Sequence, residues 1–575
     1  MPSRTLYQVL AETTQTHGDA PALYEPLTQN GERAWKSWSW RDYKRAAEEI
    51  AAGLRSLGIG RGEIVALNSE TRLEFYLADL GILTNGSIAA ALYPSYPARD
   101  LVKTIETCGA RVVFLEEPSM LDTLRAAPVE HWILLSGERE GAIPLARLRE
   151  MGRSAMAADP ALLARISEEV QPSDIAVLYL TSGATGEPKM AMVTHESIVS
   201  NIDMGPAVLP IGPEDRTVAF LPSAHIAQRV VIEFLPMRSG MPVHFTESLL
   251  KLPSDIRSVK PTVLLAPPRM WERIYSTICT ELRKRPAAAR YRRAGKSVPA
   301  RISVPLRLAD RLLFRKVRAR FGGEIRVAAS GAAPLSKDLA EFYEAVGIPL
   351  VEGYGLTEGG VVAFNPIGAQ RPGSIGKALP GIEFRVAGDG ELLIKGPCLF
   401  TRYFQDPATT AEVLRDGWLH TGDIGHVDAE GFIYITGRKK ELIVSSTGKK
   451  IYPGRVESLF KMEPLISQVI LLGDDLPHLT ALFTLNAAVA ETLKGMEPFR
   501  GMPLAEKSTA APVLKEVQKV VSRVNQQLAP FEQVRKYRIL ERDFTIENGE
   551  LTATMKVRRA RVIENFKDQI SQLYQ

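Results

Sequence analysis

Cysteine is nearly missing from this chain. Three residues among 575, Cys108, Cys279 and Cys398, are odd in number, far apart, and lack the paired spacing of a zinc site or a disulfide framework. A reducing, cytoplasmic setting is therefore expected. No stretch approaches the ~18 uninterrupted apolar residues that a spanning helix needs. The first residues, Met1 to Gln15, carry charged and polar groups where a secretory signal needs an apolar core. Neither a spanning helix nor secretion is expected. Internal repeats and low-complexity tracts are also missing. What is present is length and apolar content enough for a sizeable interior, in a chain too long for a single core, so at least two domains are expected.

Charge is modest overall, +5, but uneven. Residues 283 to 320 hold fourteen Lys or Arg against one acid, Asp310, so this segment carries +13 and the remainder −8. It could rest on anionic lipid head groups, each cation near the surface adding ~1 kcal/mol, or lie near a phosphorylated ligand. A solvated helix face is the plainer reading. Nucleic acid is a poor partner, because only Tyr291 and Phe314 interrupt the basic run and no base-stacking pattern forms.

Helical and short apolar stretches alternate from Trp40 to about Asn85: Arg41 to Leu57, Ile64 to Leu67, Arg72 to Leu83. This rhythm predicts an α/β domain. Buried strands are expected at Val112 to Leu115, Trp132 to Leu135, Ile175 to Leu180, Thr217 to Leu221, Val263 to Leu265, Ile325 to Ala328 and Pro349 to Val351. From Gly373 the chain changes to short strands with Gly turns, the mark of a small β-rich subdomain. A charged run at Arg438 to Glu441 then precedes a tail with its own helix, Val513 to Leu528. The expected organisation is a large multi-subdomain α/β body, residues 1 to 437, and a smaller mobile α+β domain, residues 438 to 575.

The strongest local signal is Y-L-T-S-G-A-T-G-E-P-K, Tyr179 to Lys189. Small residues let backbone N–H groups wrap phosphate oxygens, the hydroxyls of Thr181, Ser182 and Thr185 add donors, Gly183 and Gly186 allow tight turns, and Lys189 adds positive charge. It is not a Walker A loop, since Pro188 precedes the lysine and Met190 follows it. Taken alone, an ordinary Gly-rich turn would serve as well.

The loop has company. It resembles the phosphate loop of the acyl-adenylate-forming superfamily, which includes acyl-CoA synthetases, luciferases and peptide-synthetase adenylation domains. Further matches follow in order: S-G-A-A-P-L at Ser330 to Leu335, G-Y-G-L-T-E at Gly353 to Glu358, T-G-D at Thr421 to Asp423, G-R-K-K-E-L-I at Gly437 to Ile443, and N-G-E-L-T-A-T-M-K at Asn548 to Lys556. The resemblance implies ATP bound by all of them. Gly331, Ala332, Ala333 and Pro334 would border the adenine, with Tyr354 stacked on it and Gly355 lining the same site. Thr357 would bond the α-phosphate, and Glu358 would offer magnesium a hard oxygen ligand. A helix cap is the bland role for that acid. Asp423 and Arg438 would hold the ribose.

Lys556 is the expected catalytic residue of adenylation: an ammonium beside the bridging oxygens stabilises the charge that builds as pyrophosphate leaves. Without its neighbours it would read as a solvated lysine in a basic tail. The resemblance further implies a tail that rotates between half-reactions, with Lys440 at the hinge and Ser445 to Lys450 swinging toward the thiolation site, where coenzyme A enters.

Three segments resemble the long-chain fatty acyl branch: L-P-S-A-H-I-A-Q-R at Leu221 to Arg229, K-P-T-V-L-L-A-P-P-R-M-W-E-R-I-Y at Lys260 to Tyr275, and the basic insert ending in F-R-K-V-R-A-R-F-G-G at Phe314 to Gly323. His225 would face the acyl carboxylate; a buried, hydrogen-bonded histidine is the bland alternative. The fatty acid itself would bind by burial, at ~0.8 kcal/mol per methylene. Two departures stand out. Ala184 replaces the usual Thr or Ser, and Met190 the usual Gly, which removes a hydroxyl and places bulk beside Lys189. The readings left open are a fatty acyl-AMP ligase that loads a carrier protein and a catalytically weak acyl- or nucleotide-binding homologue. A homodimer is allowed, with nothing in the residues to specify it.

Overall fold

The strand Ile64–Asn68 and the helix Leu73–Thr84 show how the body is built. All but the first residue of the strand and all but Glu74 of the helix lie buried, so this is an interior βα unit covered on every side. The preceding helix, Trp40–Ser56, is amphipathic and starts at a capping box, Ser39 and Asp42 each bonding the other's backbone N–H. It crosses the helix Leu145–Ala158 so closely that a Cβ on Gly152 would lie 1.8 Å from the Glu49 carbonyl oxygen.

This computed structural model describes residues 3–29, 32–181, 189–283, 314–552 and 555–575. Among them, an eight-stranded sheet runs in the order Arg402–Tyr403, Lys189–Thr194, Ile175–Thr181, Ile88–Leu92, Ile64–Asn68, Val112–Leu115, His131–Leu134, Ile143–Pro144. Pairing is parallel from Ile175–Thr181 onward and antiparallel at the first two junctions. A five-stranded sheet, Val263–Ala266, Val327–Ser330, Leu350–Leu356, Gly360–Phe364, Lys377–Ala378, lies behind the site. A second five-stranded sheet, antiparallel, holds Glu383–Val386, Glu391–Lys395, Leu414–Arg415, Trp418–Val427 and Ile433–Arg438. From Ile443 on, two apolar clusters belong to the tail, one between the helix Ala511–Asn525 and the strands Ile466–Leu472 and Leu479–Leu485, the other under the last helices. A large α/β body with a small β-rich sheet and a smaller α+β tail is the architecture the residue pattern predicts.

The ends of elements differ from expectation for local reasons. The tail helix begins at Ala511 because Pro512 suits the first turn, and stops at Asn525, whose side chain turns to bond both backbone groups of Val534. The strand expected to reach Leu221 ends at Ala219, and the Leu221 carbonyl instead accepts from the Thr71 hydroxyl. The strand expected to end at Val351 continues to Leu356, because G-Y-G-L pairs with Gly360–Phe364. Of the basic segment, residues 284–313 lie outside the described residues. Among those described, no helix is long and apolar enough to cross a membrane, and Cys108 and Cys398 are free and buried.

Candidate active site

Thr181 and Lys189, the two ends of the candidate phosphate loop, are register partners across an antiparallel ladder. The loop between them, Ser182, Gly183, Ala184, Thr185 and Gly186 included, lies outside the described residues. Lys189 Nζ donates to Thr409 Oγ1 at 3.3 Å and sits 5.4 Å from the centroid of the Tyr403 ring. Met190 turns the other way, into the main apolar cluster, as alternation along a strand requires. Its bulk therefore does not crowd Lys189.

The S-G-A-A-P-L turn sits at the end of the strand Val327–Ser330, and its backbone abuts the G-Y-G motif: a Cβ on Gly331 would stand 3.4 Å from the Gly353 carbonyl oxygen. Ala332 takes a left-handed φ of 69°, while Ala333 and Pro334 are exposed. The turn is pinned from beneath by Glu352, whose Oε1 accepts the Leu335 N–H at 3.0 Å. Burial pushes that carboxyl up to about 8.

Tyr354, next on the same strand, donates its hydroxyl to Asp423 Oδ2 at 2.5 Å. Burial first, then Asp423, drives the Tyr354 hydroxyl well above its ordinary pKa. Asp423 and Arg438 come from different motifs but are register partners, so the carboxylate meets Arg438 Nε at 2.9 Å. The Asp423 N–H is in turn held by Thr421 Oγ1 at 3.0 Å.

Thr357, Glu358 and Gly359 form the tight turn between Leu350–Leu356 and Gly360–Phe364. Glu358 therefore caps no helix. Its Oε1 accepts the Tyr403 hydroxyl at 2.6 Å. Gly355 is required for space, since a Cβ there would fall 2.4 Å from the Gly360 carbonyl oxygen.

Lys556 arrives from the tail on a small hairpin: Thr552 N–H bonds the Lys556 carbonyl at 2.8 Å, Lys556 N–H bonds Thr552 Oγ1 at 3.1 Å, and Met555 is left-handed at φ 63°. Lys556 is exposed, and Arg438, Asp423, Glu441 and Glu358 lie near enough for their charge to act on its ammonium. Partial desolvation, with the nearby Arg438, lowers Lys556 to about 8, against the opposing pull of Asp423, Glu441 and Glu358. Burial, then Lys556, lowers His225 to about 3. The neutral ring accepts the Ala227 N–H on Nδ1 at 3.2 Å, which leaves the proton on Nε2. His225, Glu358, Asp423, Arg438 and Lys556 thus share one electrostatic neighbourhood. Lys440 is exposed in the short turn Lys439–Glu441, and Ser445 to Lys450 loops between the strands Ile443–Val444 and Lys450–Ile451.

Tyr403, Thr409, Glu352 and Glu441 also belong to this site. Tyr403, Thr409 and Glu352 lie outside every motif, Tyr403 meeting Glu358 from 45 residues away, while Glu441 lies within G-R-K-K-E-L-I.

Residues 10–404 match the family described as AMP-binding enzyme, and residues 440–575 match the AMP-binding enzyme C-terminal domain. The long-chain-fatty-acid–CoA ligase FadD15 of Mycobacterium bovis is 35% identical, covering 93% of this chain and 92% of its own. The long-chain-fatty-acid–CoA ligase ACSBG2 of Rattus norvegicus is 29% identical, with coverage of 99% and 93%. Among solved structures, the adenylation domain of a carboxylate reductase from Mycobacterium chelonae superposes with a TM-score of 0.77 over 100% of this chain and 92% of that one. At 22% identity this last likeness concerns the fold alone.

Proposed function

The chain belongs to the AMP-binding enzyme family, and from that premise we propose that it is an AMP-forming long-chain fatty acid–CoA ligase. A fatty acid carboxylate oxygen attacks the α-phosphorus of ATP, the bond to pyrophosphate breaks, and acyl-AMP forms. The sulfur of coenzyme A then attacks the acyl carbonyl, and AMP leaves. The observation that carries this reading is the convergence of His225, Glu358 and Asp423 from the body, and of Arg438 at the boundary, on Lys556 from the tail.

Each residue has a role that its surroundings support. Lys556 neutralises charge on the oxygens between the α-phosphate and the departing pyrophosphate. His225 offers Nε2–H to the incoming carboxylate and, held neutral, adds no competing charge. Asp423, already oriented by Tyr354 and Arg438, accepts the ribose hydroxyls. The low turn Gly331–Pro334 and the Tyr354 ring border the adenine, the Thr357 hydroxyl meets the α-phosphate, and Thr181, Lys189 and the loop between them hold the outer phosphates. Magnesium fits Glu358, a half-buried turn carboxylate with one oxygen engaged by Tyr403 and lone pairs left for a hard cation. When bound it would neutralise phosphate charge. The division into residues 1–437 and 438–575, with Lys440 as hinge and Ser445–Lys450 brought to the acyl site for thiolation, is part of the same proposal. So is contact of residues 283–320 with anionic lipid, which vesicle co-sedimentation reads directly.

The test is carboxylate-dependent exchange of pyrophosphate into ATP over a panel of chain lengths, followed by thioester formation with and without coenzyme A. Exchange with long acids and thioester only with coenzyme A is expected. Exchange without thioester would assign the chain to carrier loading instead, and silence from folded protein would leave only binding.

A further inference from the structure

Behind His225 the fold buries charge that adenylation does not use. Arg229 and Asp79 have side chains with 0% exposure and form a two-point ion pair, Nε to Oδ2 at 3.2 Å and Nη2 to Oδ1 at 2.5 Å. Glu233, four residues on, is 3% exposed, and its two carboxyl oxygens meet no N–H or hydroxyl donor among the described residues. The neighbouring acid is Asp79, close enough for its carboxyl to raise that of Glu233. Two carboxyl groups can bond each other only when one carries a proton, and a second bare anion buried here would face a single cation.

The cluster sits where it can act on the site. Gln228–Phe234 is wound as a π-helix, a rare form that often accompanies function. Its first turn grows from His225, whose carbonyl accepts Gln228 N–H at 3.0 Å and Arg229 N–H at 3.3 Å. Gln228 Nε2 donates to Tyr76 Oη at 2.9 Å, on the buried helix that also carries Asp79. The guanidinium lies 5.3 Å from the ring centroid of Tyr179, on the strand that leads into the phosphate loop, and 5.6 Å from that of Phe234. The π-helix is thereby fastened to two neighbouring elements just below the imidazole.

We propose that Asp79 and Glu233 share one proton beside the Arg229 guanidinium, and that this neutral three-residue clamp positions His225 against the carboxylate being activated. The shared proton rests on a buried Glu233 carboxyl, with no donor among the described residues, beside the fully buried Arg229–Asp79 pair; the positioning role rests on the reading of His225 given above. Burial raises both carboxyls, Glu233 the more, while two bonds from Arg229 favour ionised Asp79. The other titratable groups facing the pair, Tyr43, Tyr76 and Tyr179, are all pushed upward by burial, so they stay protonated and add no charge. These are positioning residues: all three are buried and act on the site through others, His225 above all.

The full-length protein carries the test. Infrared difference spectra against Glu233→Gln should show a buried protonated-carboxyl band in the parent protein at neutral pH. Absence of that band overturns the shared proton, whatever the activity. In pyrophosphate exchange, Glu233→Leu should lower kcat ~10-fold or more with the KM for ATP unchanged, because the imidazole is misplaced while the nucleotide site is intact. Glu233→Gln, which keeps a neutral hydrogen-bonding end, should restore kcat to within ~2-fold of the parent. Should Glu233→Leu fail to fold, Tyr76→Phe, which removes only the hydroxyl bonded by Gln228, should lower kcat ~2–5-fold in the same pattern. Unchanged kcat in folded Glu233→Leu, or in Tyr76→Phe where that variant stands in, overturns the positioning role. A parent protein with the band but no exchange would instead sink the assignment of the reaction.

Discussion

Asp423 and Lys556 face one site and are held in opposite ways. The aspartate side chain is 4% exposed, lies mid-strand, and is fixed by its register partner Arg438 and by the Tyr354 hydroxyl. The lysine projects from a hairpin closed by one isolated bridge, Leu551 to Val557, with a left-handed Met555 beside it. It belongs to a tail with its own apolar clusters, which meets the body through polar contacts such as Arg558 with Tyr96 and Arg269 with Asp543 at 4.0 Å. The wall that carries Asp423 is preorganised by the sheet, whereas Lys556 is carried by the tail, which meets the body through such polar contacts and through Met462 packed on a body apolar cluster.

The sharpest way to break this contrast is Lys556→Ala. Exchange of pyrophosphate should fall by ~10²–10³-fold, while thioester formation from supplied acyl-AMP stays largely intact. Equal loss of both steps would mean that the lysine serves the fold and not adenylation. Asp423→Ala should behave differently, weakening ATP and acyl-AMP binding alike by ~10–10²-fold, as loss of charge-assisted hydrogen bonds implies; titration calorimetry with AMP reads this, and unaltered affinity would remove Asp423 from the ribose site.

A pH profile compares the two residues without altering the fold. Lys556 is lowered to about 8, so its charge is complete below that value and is lost as pH rises through it. The alkaline limb of kcat/KM for ATP, which reports the free enzyme, should fall near pH 8, and the limb of kcat should lie higher because bound phosphates favour the ammonium. Lys556→Arg should move the first limb upward; a limb that stays in place would belong to another group. The smallest effect is expected at Met555→Gly. Glycine accepts the left-handed φ without strain, so exchange should change by less than ~3-fold. A larger loss would show that the methionine side chain contacts the substrates.

Much of this site was legible because its members are chemically marked. G-Y-G-L-T-E, T-G-D and G-R-K-K-E each carry residues whose types suit a nucleotide, and the interior helix and strand rhythm follows from apolar spacing. Tyr403 was not legible, since nothing in its neighbours shows that it will meet Glu358. Nothing in the residues marks Gln228–Phe234 as a π-helix, and Arg229 appears there only as the last residue of a signature. The place of Met190 is likewise set in three dimensions: strand alternation points it into the core, a fact the loop's composition does not contain.

Sequence alone determined the element types, the order of the motifs and the ionisable groups available, because these depend on near neighbours and on side-chain chemistry. Tertiary structure alone decided that Asp423 faces Arg438, that Lys556 comes under the influence of Arg438, Asp423 and Glu358, and that Asp79, Arg229 and Glu233 are buried together. Register and burial set those outcomes, and both arise only when residues distant along the chain exclude solvent together.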